Sequence, residues 1–284
     1  MKKSGTLKRS NRGGRHPRTL AACGIALLMV GGGAAIPMSA SARTSVPSWE
    51  EFRDATYQDE DGQFIVNGDE TISDEFALRE FYDRLAQGVM PSTSPGDLIA
   101  NKGADGFLSL WSMHEVGSLS YCVSDAFGSA KAAVVQAMEE GAATWEGASS
   151  AVNFDYLPEH DARCNTRNSS VTFSVEPTRT TAYIARAFFP DTPKTRRNIL
   201  VSNTLTTSGW SAGNIMAHEL GHVLGFRHEH TRPEAGTCFE DNNWEPLTPY
   251  DSISIMHYPQ CNGDSSSLEF SHLDYDGIQV VYGQ

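Results

Sequence analysis

The sequence predicts an α+β fold for a region of about 175 residues that begins near Leu110. Three observations carry this. Two long stretches have helical apolar spacing, SAKAAVVQAMEEGAATWEGAS and SAGNIMAHELGHVL. The β-rich runs between them are short and bounded by turn residues. No repeat and no C-terminal accessory module interrupts the pattern.

In chain order, SLSYCVS reads as a short strand, and in the first long helix Ala133, Val134, Ala137, Met138, Ala142 and Trp145 share one face. VNFDYL, SSVTFSVEP, TAYIARAFFP and NILVSN read as strands. The second long helix is capped by Ser211. Loops follow, then the short segment SISIMHY and a final apolar helix, LDYDGIQVVYG.

The chain ahead of this domain has a different character. Residues 1–42 hold seven basic residues and no acidic one, then the apolar run LAACGIALLMVGGGAAIPM and Ala40-Ser41-Ala42. That order is a secretory signal peptide with small residues at its cleavage site. A row of three glycines, 31–33, and a proline interrupt the run, which favours cleavage over a membrane anchor. Cys23 lies at the start of the apolar run, where a lipidation box would follow it. Removing 1–42 takes seven of the 22 basic residues and none of the 35 acidic ones, so the net charge moves from −13 to −20. Such a surface argues against nucleic acid and anionic membranes as partners; with the signal removed, the chain is expected to be a secreted monomer with no membrane contact.

Residues 43–109 are read as an acidic propeptide and linker. They open on WEEFRDATYQDEDGQ and contain the helix DEFALREFYDRLAQG, with Phe76, Leu78, Phe81, Tyr82 and Leu85 at helical spacing. The stretch MPSTSPGD then reads as a linker. Cys122, Cys164, Cys238 and Cys261 remain after the signal, an even number in an exported chain, so two disulfides are expected. Of the three possible pairings, Cys122–Cys164 with Cys238–Cys261 closes two loops of moderate length and is preferred. No CxxC pair suggests that these cysteines bind zinc. Asn168-Ser169-Ser170 is a formal glycosylation sequon.

The chemistry concentrates in HELGHVLGFRHEH, residues 218–230. His218 and His222 are one helical turn apart, so both imidazoles reach one cation. Gly225 can leave helical geometry and turn the chain back, which brings His228 within reach as a third ligand. Three histidines leave one tetrahedral position for water, the layout of a catalytic zinc site with one ion per chain. Glu219 follows the first ligand and suits a general base acting on that water. A bare HExxH also arises on solvated helix faces, but the added glycine and histidine at set offsets make chance a poor account. His230, His257, His160, His114 and His272 are read as surface or packing residues.

HELGHVLGFRHE followed by Arg232, together with Ser254-Ile255-Met256-His257-Tyr258, resembles the astacin family of zinc metalloendopeptidases, a branch of the metzincins. The resemblance spans about 110–284 and is densest at 214–232 and 254–258. It implies a two-lobed catalytic domain, with a mixed twisted sheet and two long helices above a zinc cleft and a mostly irregular C-terminal lobe. It also implies that Met256 forms the apolar base beneath the zinc and that Tyr258 ligates zinc at rest and stabilises the oxyanion. Glu229 would contact the buried mature N-terminus, and TAYIARAFFP would be the edge strand that holds an extended protein or peptide substrate by backbone pairing. The resemblance extends to the acidic segment, where Val66-Asn67-Gly68-Asp69 is similar to the F-x-G-D of astacin propeptides and marks Asp69 as an inhibitory zinc ligand. The family's RxDR is not kept, since Arg232 is followed by Pro233-Glu234-Ala235. Two functions remain open at this point: a secreted zinc endopeptidase made as a precursor, or a catalytically inactive zinc-containing binding module of the same fold.

Overall fold

The computed structural model describes residues 47–86, 98–103 and 105–283; the signal segment and the MPSTSPG stretch lie outside them. The acidic segment folds around a small core of its own. Helix α1 (Trp49–Ala55) starts at a Ser48–Glu51 capping box. Strands β1 (Tyr57–Gln58), β2 (Phe64–Val66) and β3 (Glu70–Ile72) form an antiparallel sheet in the order β1-β2-β3. Helix α2 (Glu75–Ala86) packs on it through Leu78 and Phe81, joined by Phe64 and Val66. Phe76, expected on the buried stripe, is 74% exposed. It occupies the first turn of α2, and the apolar face of that helix begins at Leu78.

Strand β4 (Ile99–Asn101) pairs with a strand far along the chain, β9 (Trp244–Pro246). Leu98, Ile99 and Ala100 are fully buried, and Leu98 packs against α6 (His272–Tyr282) at Gly277. Residues 98–103, drawn with the linker in the sequence reading, are thus built into the same body as the residues that follow.

The main sheet is mixed. Strand β5 (Tyr121–Val123), which follows the short helix α3 (Met113–Val116), runs parallel to β6 (Phe173–Thr178), and β6 runs parallel to β8 (Asn198–Ser202). Strand β7 (Ala185–Arg186) is antiparallel to β8 and forms the edge, in the order β5-β6-β8-β7. VNFDYL is extended beside Leu119–Tyr121 and exchanges backbone bonds with it, but forms a single Tyr121–Tyr156 bridge and no full strand. Pro158 follows at once and has no N–H to continue a ladder.

Helix α4 (Lys131–Ala148) and helix α5 (Ala212–Leu224) pack together against one face of this sheet. A methyl group at Gly141 would come within 2.7 Å of the Ala217 backbone, so glycine there permits the close approach. Trp145 is fully buried and donates its indole N–H to the Ala217 carbonyl at 2.7 Å; truncating so large a core residue costs about 3–5 kcal/mol. The expected stripe holds except at Ala133, which is exposed; Gly141 and Ala148 complete it. Beyond Gly225 the described chain is mostly irregular until α6. Tyr282 of α6 accepts from the Trp111 N–H at 3.0 Å and donates to the Leu224 carbonyl at 2.8 Å, tying the chain end to the end of α5. The disulfides are Cys122–Cys164 and Cys238–Cys261, the pairing that closes moderate loops.

Candidate metal centre and catalytic site

Helix α5 begins where Ser211 accepts from the Asn214 N–H and ends at Gly225, with φ +103°. There the Phe226 N–H reaches the Gly221 carbonyl and the Gly225 N–H the His222 carbonyl, both at 2.9 Å, a Schellman closure that satisfies the last carbonyls. A methyl group at Gly225 would strike the Ser109 carbonyl and lie 2.9 Å from Leu110. The reversed chain is then pinned to β4 by Arg227 N–H to Ile99 O and Asn101 N–H to Gly225 O. His228 consequently lands opposite His218 and His222.

All three histidines are buried, and each has its Nδ1 committed. His218 Nδ1 meets Ile255 O at 2.7 Å, His222 Nδ1 meets Phe226 O at 2.8 Å, and His228 Nδ1 meets Glu240 Oε1 at 2.8 Å. Carbonyls and carboxylates accept, so each Nδ1 carries the proton and each Nε2 offers its lone pair inward. His218 Nε2 and His228 Nε2 are 3.2 Å apart. The Asp69 carboxylate sits 3.3 Å from the Nε2 of His218, 3.3 Å from that of His222 and 3.0 Å from that of His228. Ligands about 2.05 Å from a tetrahedral ion are about 3.3 Å from one another, so these donors fit one zinc ion. His222 Nε2 and Asp69 Oδ1 are buried without a hydrogen-bond partner, as donors meant for a metal would be.

Asp69 reaches the histidines from the tip of the β2–β3 hairpin. Asn67 and Gly68 both have positive φ, at 56° and 103°, which a tight Asn-Gly turn requires. Gly68 also lets the Tyr258 ring come close, since an added methyl would sit 3.1 Å from its hydroxyl. Tyr258 donates its O–H to Asp69 Oδ2, and its ring centroid lies 4.5 Å from that of His228.

Glu219 is 2% exposed, and its Oε2 has no hydrogen-bond partner. Burial, and then the charge of Asp69, holds it well above the ordinary carboxylate range. It faces a cavity of about 250 Å³ with Asp69, His218, Tyr258, Ile184 and Trp210. Removing Asp69 would take away the charge that opposes ionisation of Glu219.

Met256 is fully buried beneath α5, where a methyl on Gly221 would meet its side chain. Its turn is held by Asp274 of α6, which accepts from the Ser254 hydroxyl at 2.5 Å and the Ile255 N–H at 2.8 Å. The turn in turn orients His218 through Ile255 O. Glu229 is fully buried, accepts from the Asp251 N–H at 3.1 Å and lies 3.6 Å from Arg232. His230 and His257 are buried packing residues: His230 bridges the Tyr258 N–H and Glu240, and His257 accepts from or donates to the Tyr250 hydroxyl. His114 and His272 are exposed, and His160 is half-buried.

Sequence reasoning missed Glu240, Arg227 and Glu70. Glu240 takes both His228 Nδ1–H and His230 Nε2–H and thereby sets the direction of a metal-facing ring. Arg227 is buried among Glu70, Glu240 and Asp241, with both Glu70 oxygens within 3.1 Å. Glu240 has no spacing signal of its own in TCFEDNNWE, whereas an arginine directly beside His228 is visible in the motif.

Residues 115–271 match the family described as dual-action HEIGH metallo-peptidase. The chain is 41% identical over 63 residues to zinc metalloproteinases nas-39 and nas-30 of Caenorhabditis elegans, covering 16% of this chain and 7% and 8% of those proteins. It is 35% identical over 72 residues to high choriolytic enzyme 1 of Oryzias latipes, covering 19% of this chain and 26% of that protein. It therefore spans under a tenth of the nematode relatives and about a quarter of the fish enzyme. The solved structure of that hatching enzyme, a zinc protease, aligns with TM-score 0.38 and 19% identity over 64% of this chain and 93% of that one. With a family match over more than half of its length, and with the HExxH helix and the 254–258 segment inside that match, the chain belongs to the dual-action HEIGH metallopeptidases.

Proposed function

We propose that the protein is a secreted zinc endopeptidase, exported as a precursor in which residues 43 to 97 form an inhibitory pro-segment. The observation that carries this is the cluster of three inward Nε2 atoms, each 3.0–3.3 Å from the Asp69 carboxylate that caps them and flanked by Glu219. His218, His222 and His228 would hold the ion. Zinc bound there supplies Lewis acidity toward water and the scissile carbonyl.

The remaining chemistry belongs to the chain. Glu219 accepts the proton of the attacking water at a carboxylate oxygen and returns it to the leaving amine. Tyr258, freed from Asp69, turns its O–H to the developing oxyanion. The free edge of β7 pairs with an extended substrate. In the precursor Asp69 fills the substrate position, and burial together with the Asp69 charge opposes ionisation of Glu219. Because Leu98 and Ile99 are core residues, we place the maturation cut N-terminal to Leu98. Two disulfides suit an oxidising compartment. Among the described residues no helix is long and apolar enough to cross a membrane.

The test is hydrolysis of denatured casein by the matured protein, with chelation, zinc add-back and Glu219→Gln. Chelation and Glu219→Gln should each abolish activity, while Glu219→Gln retains bound zinc and His218→Ala does not. Activity that survives Glu219→Gln refutes the mechanism, and an inactive wild type leaves the binding-module reading.

A further inference from the structure

The basic side chains beyond Leu98 fall into two sets. Lys102, Lys131, Arg186, Arg227 and Arg232 each pair with at least one carboxylate. Among the described residues Arg163, Arg167, Arg179, Lys194, Arg196 and Arg197 form no ion pair, and all but Arg179 sit on two adjoining turns, 163–167 and 194–197. Lys194 joins the turns by donating to the Thr166 carbonyl at 3.0 Å. The Cys122–Cys164 disulfide fixes the first turn to β5, and Arg197 leads directly into β8. In a chain of net charge −13, unpaired cations gathered in one place call for a cause.

A cavity of about 360 Å³ opens between these turns and the segment before β5. Lys194 and Arg197 line it together with the hydroxyl-bearing Ser118, Ser120, Ser169 and Thr172. These residues lie at the N-terminal ends of the parallel strands β5, β6 and β8, and none of them lines the cavity of Glu219. Arg197 is held by backbone and ring: Nε donates to Thr192 O at 2.7 Å, Nη2 to Pro190 O at 3.0 Å, and the guanidinium lies 4.7 Å from the Trp111 ring centroid. Lys194 commits one ammonium proton to Thr166 and has two left. The carboxylates that the pair can feel are turned elsewhere. Glu115 accepts from the Ser112 hydroxyl at 2.6 Å, Asp191 from the Ser109 hydroxyl at 2.8 Å, and Glu176 from the Ser174 hydroxyl at 2.8 Å. Burial, then the charge of Arg197 beside it, pushes the Lys194 ammonium below its ordinary range. A bound anion relieves two like charges in such a pocket, and the surrounding hydroxyls supply further donors to its oxygens.

The positive surface continues past the pocket. Arg163 and Arg167 are exposed, and Arg196, which donates to the Asp61 carbonyl, joins them when the N-terminal segment leaves. Trp111 is only 7% exposed and is covered by Arg197, so the pocket offers no aromatic face on which a base could stack. That favours an acidic polysaccharide over a nucleic acid. We propose that this pocket is an oxyanion subsite for a sulfate ester of an acidic polysaccharide, whose chain continues over Arg163 and Arg167. The site tethers the protein to a sulfated matrix and leaves the metal centre open. It goes beyond the peptidase reading and does not depend on it.

The test is direct binding of a fluorescent heparin fragment to the secreted full-length chain, with unsulfated hyaluronate and single-stranded DNA as comparison ligands. Heparin should bind and the other two should bind at least about tenfold more weakly. Its affinity should fall about fiftyfold between 50 and 200 mM salt, the slope for roughly four ester groups. Inorganic sulfate should displace the fragment more effectively than chloride at equal ionic strength. Lys194→Gln and Arg167→Gln should each weaken binding several-fold and together about tenfold or more, whereas Arg179→Gln, at the far end of β6, should leave it unchanged. Arg197→Gln loses its stacking on Trp111 as well, so if it is not secreted, the Lys194 and Arg167 variants decide the matter. No binding of heparin at 50 mM salt, or binding unchanged in the double variant, overturns the site. Hyaluronate or DNA bound as tightly as heparin, or sulfate no better than chloride, overturns its assignment to a sulfate ester. Glu219→Gln should bind heparin as the wild type does, so the site and the peptidase reading stand or fall separately.

Discussion

Asp69→Ala in the uncleaved chain separates the proposed inhibitory contact from the rest of the proposed pro-segment. The substitution removes a carboxylate that is 4% exposed and lies 3.0–3.3 Å from three imidazoles. It also removes the acceptor of the Tyr258 hydroxyl. Breaking a buried charged cluster of this kind from one side costs about 3–5 kcal/mol, which is about a hundredfold or more in how often the hairpin tip leaves the site. The segment stays clamped elsewhere, by Glu70 on Arg227 and by Asp59 and Asp61 on Arg186. The gain should therefore depend on substrate size. A short quenched peptide should be hydrolysed about a hundredfold faster than by the wild-type precursor, while casein, which needs the whole β7 edge, should gain far less. After maturation the two proteins should be indistinguishable, because the altered residue has left. The chain is kept uncleaved and its mass checked before and after the assay. A variant precursor as inactive toward the peptide as wild type would refute the assignment of Asp69.

Three further outcomes are expected. Gly225→Ala puts a side chain at φ +103° against the Ser109 carbonyl, so it should cost about 2–4 kcal/mol and lower bound zinc by displacing His228; an unchanged melting temperature and full zinc content would contradict this. Replacing Cys238 and Cys261 by serine opens a cross-link of separation 23, worth about 3 kcal/mol by loop entropy, and loosens the loop that carries Glu240, so thermal unfolding should come earlier and zinc should be held more weakly. Burial pushes His257 down to about 4, below the value near 6.5 of an unfolded histidine, so the neutral ring favours the fold. Its contribution is full above pH about 6.5 and is lost as pH falls through 4, at most about 3 kcal/mol; His257→Asn should flatten denaturant-measured stability across that window, and an unchanged slope would count against it.

The zinc-helix motif was legible because its spacing is local. His218, Glu219, His222 and Gly225 are placed by helical pitch and by one residue that tolerates positive φ, and neither depends on the rest of the chain. The strand–helix alternation and the Ser211 cap were readable for the same reason. Local signals failed where packing decides: Phe76 has helical spacing but is left exposed among the described residues, and VNFDYL has strand composition but a proline at its end. Residues 98–103 look like a linker continuation until β9, more than 140 residues later, pairs with them.

The sequence by itself therefore marked the HExxH helix and its turn at Gly225, while resemblance to a family singled out the 254–258 segment and Asp69. Only the tertiary structure decided that Asp69 meets the histidines, with Tyr258 reaching it across a separation of 189 residues, that Glu240 aims His228, and that Arg186 finds its charges 127 residues away in Asp59. The reason is physical. Helix pitch and turn conformations act between neighbours and leave a periodic trace in the sequence, whereas a buried ion pair between distant segments requires only that two groups arrive at one place, and no spacing records it.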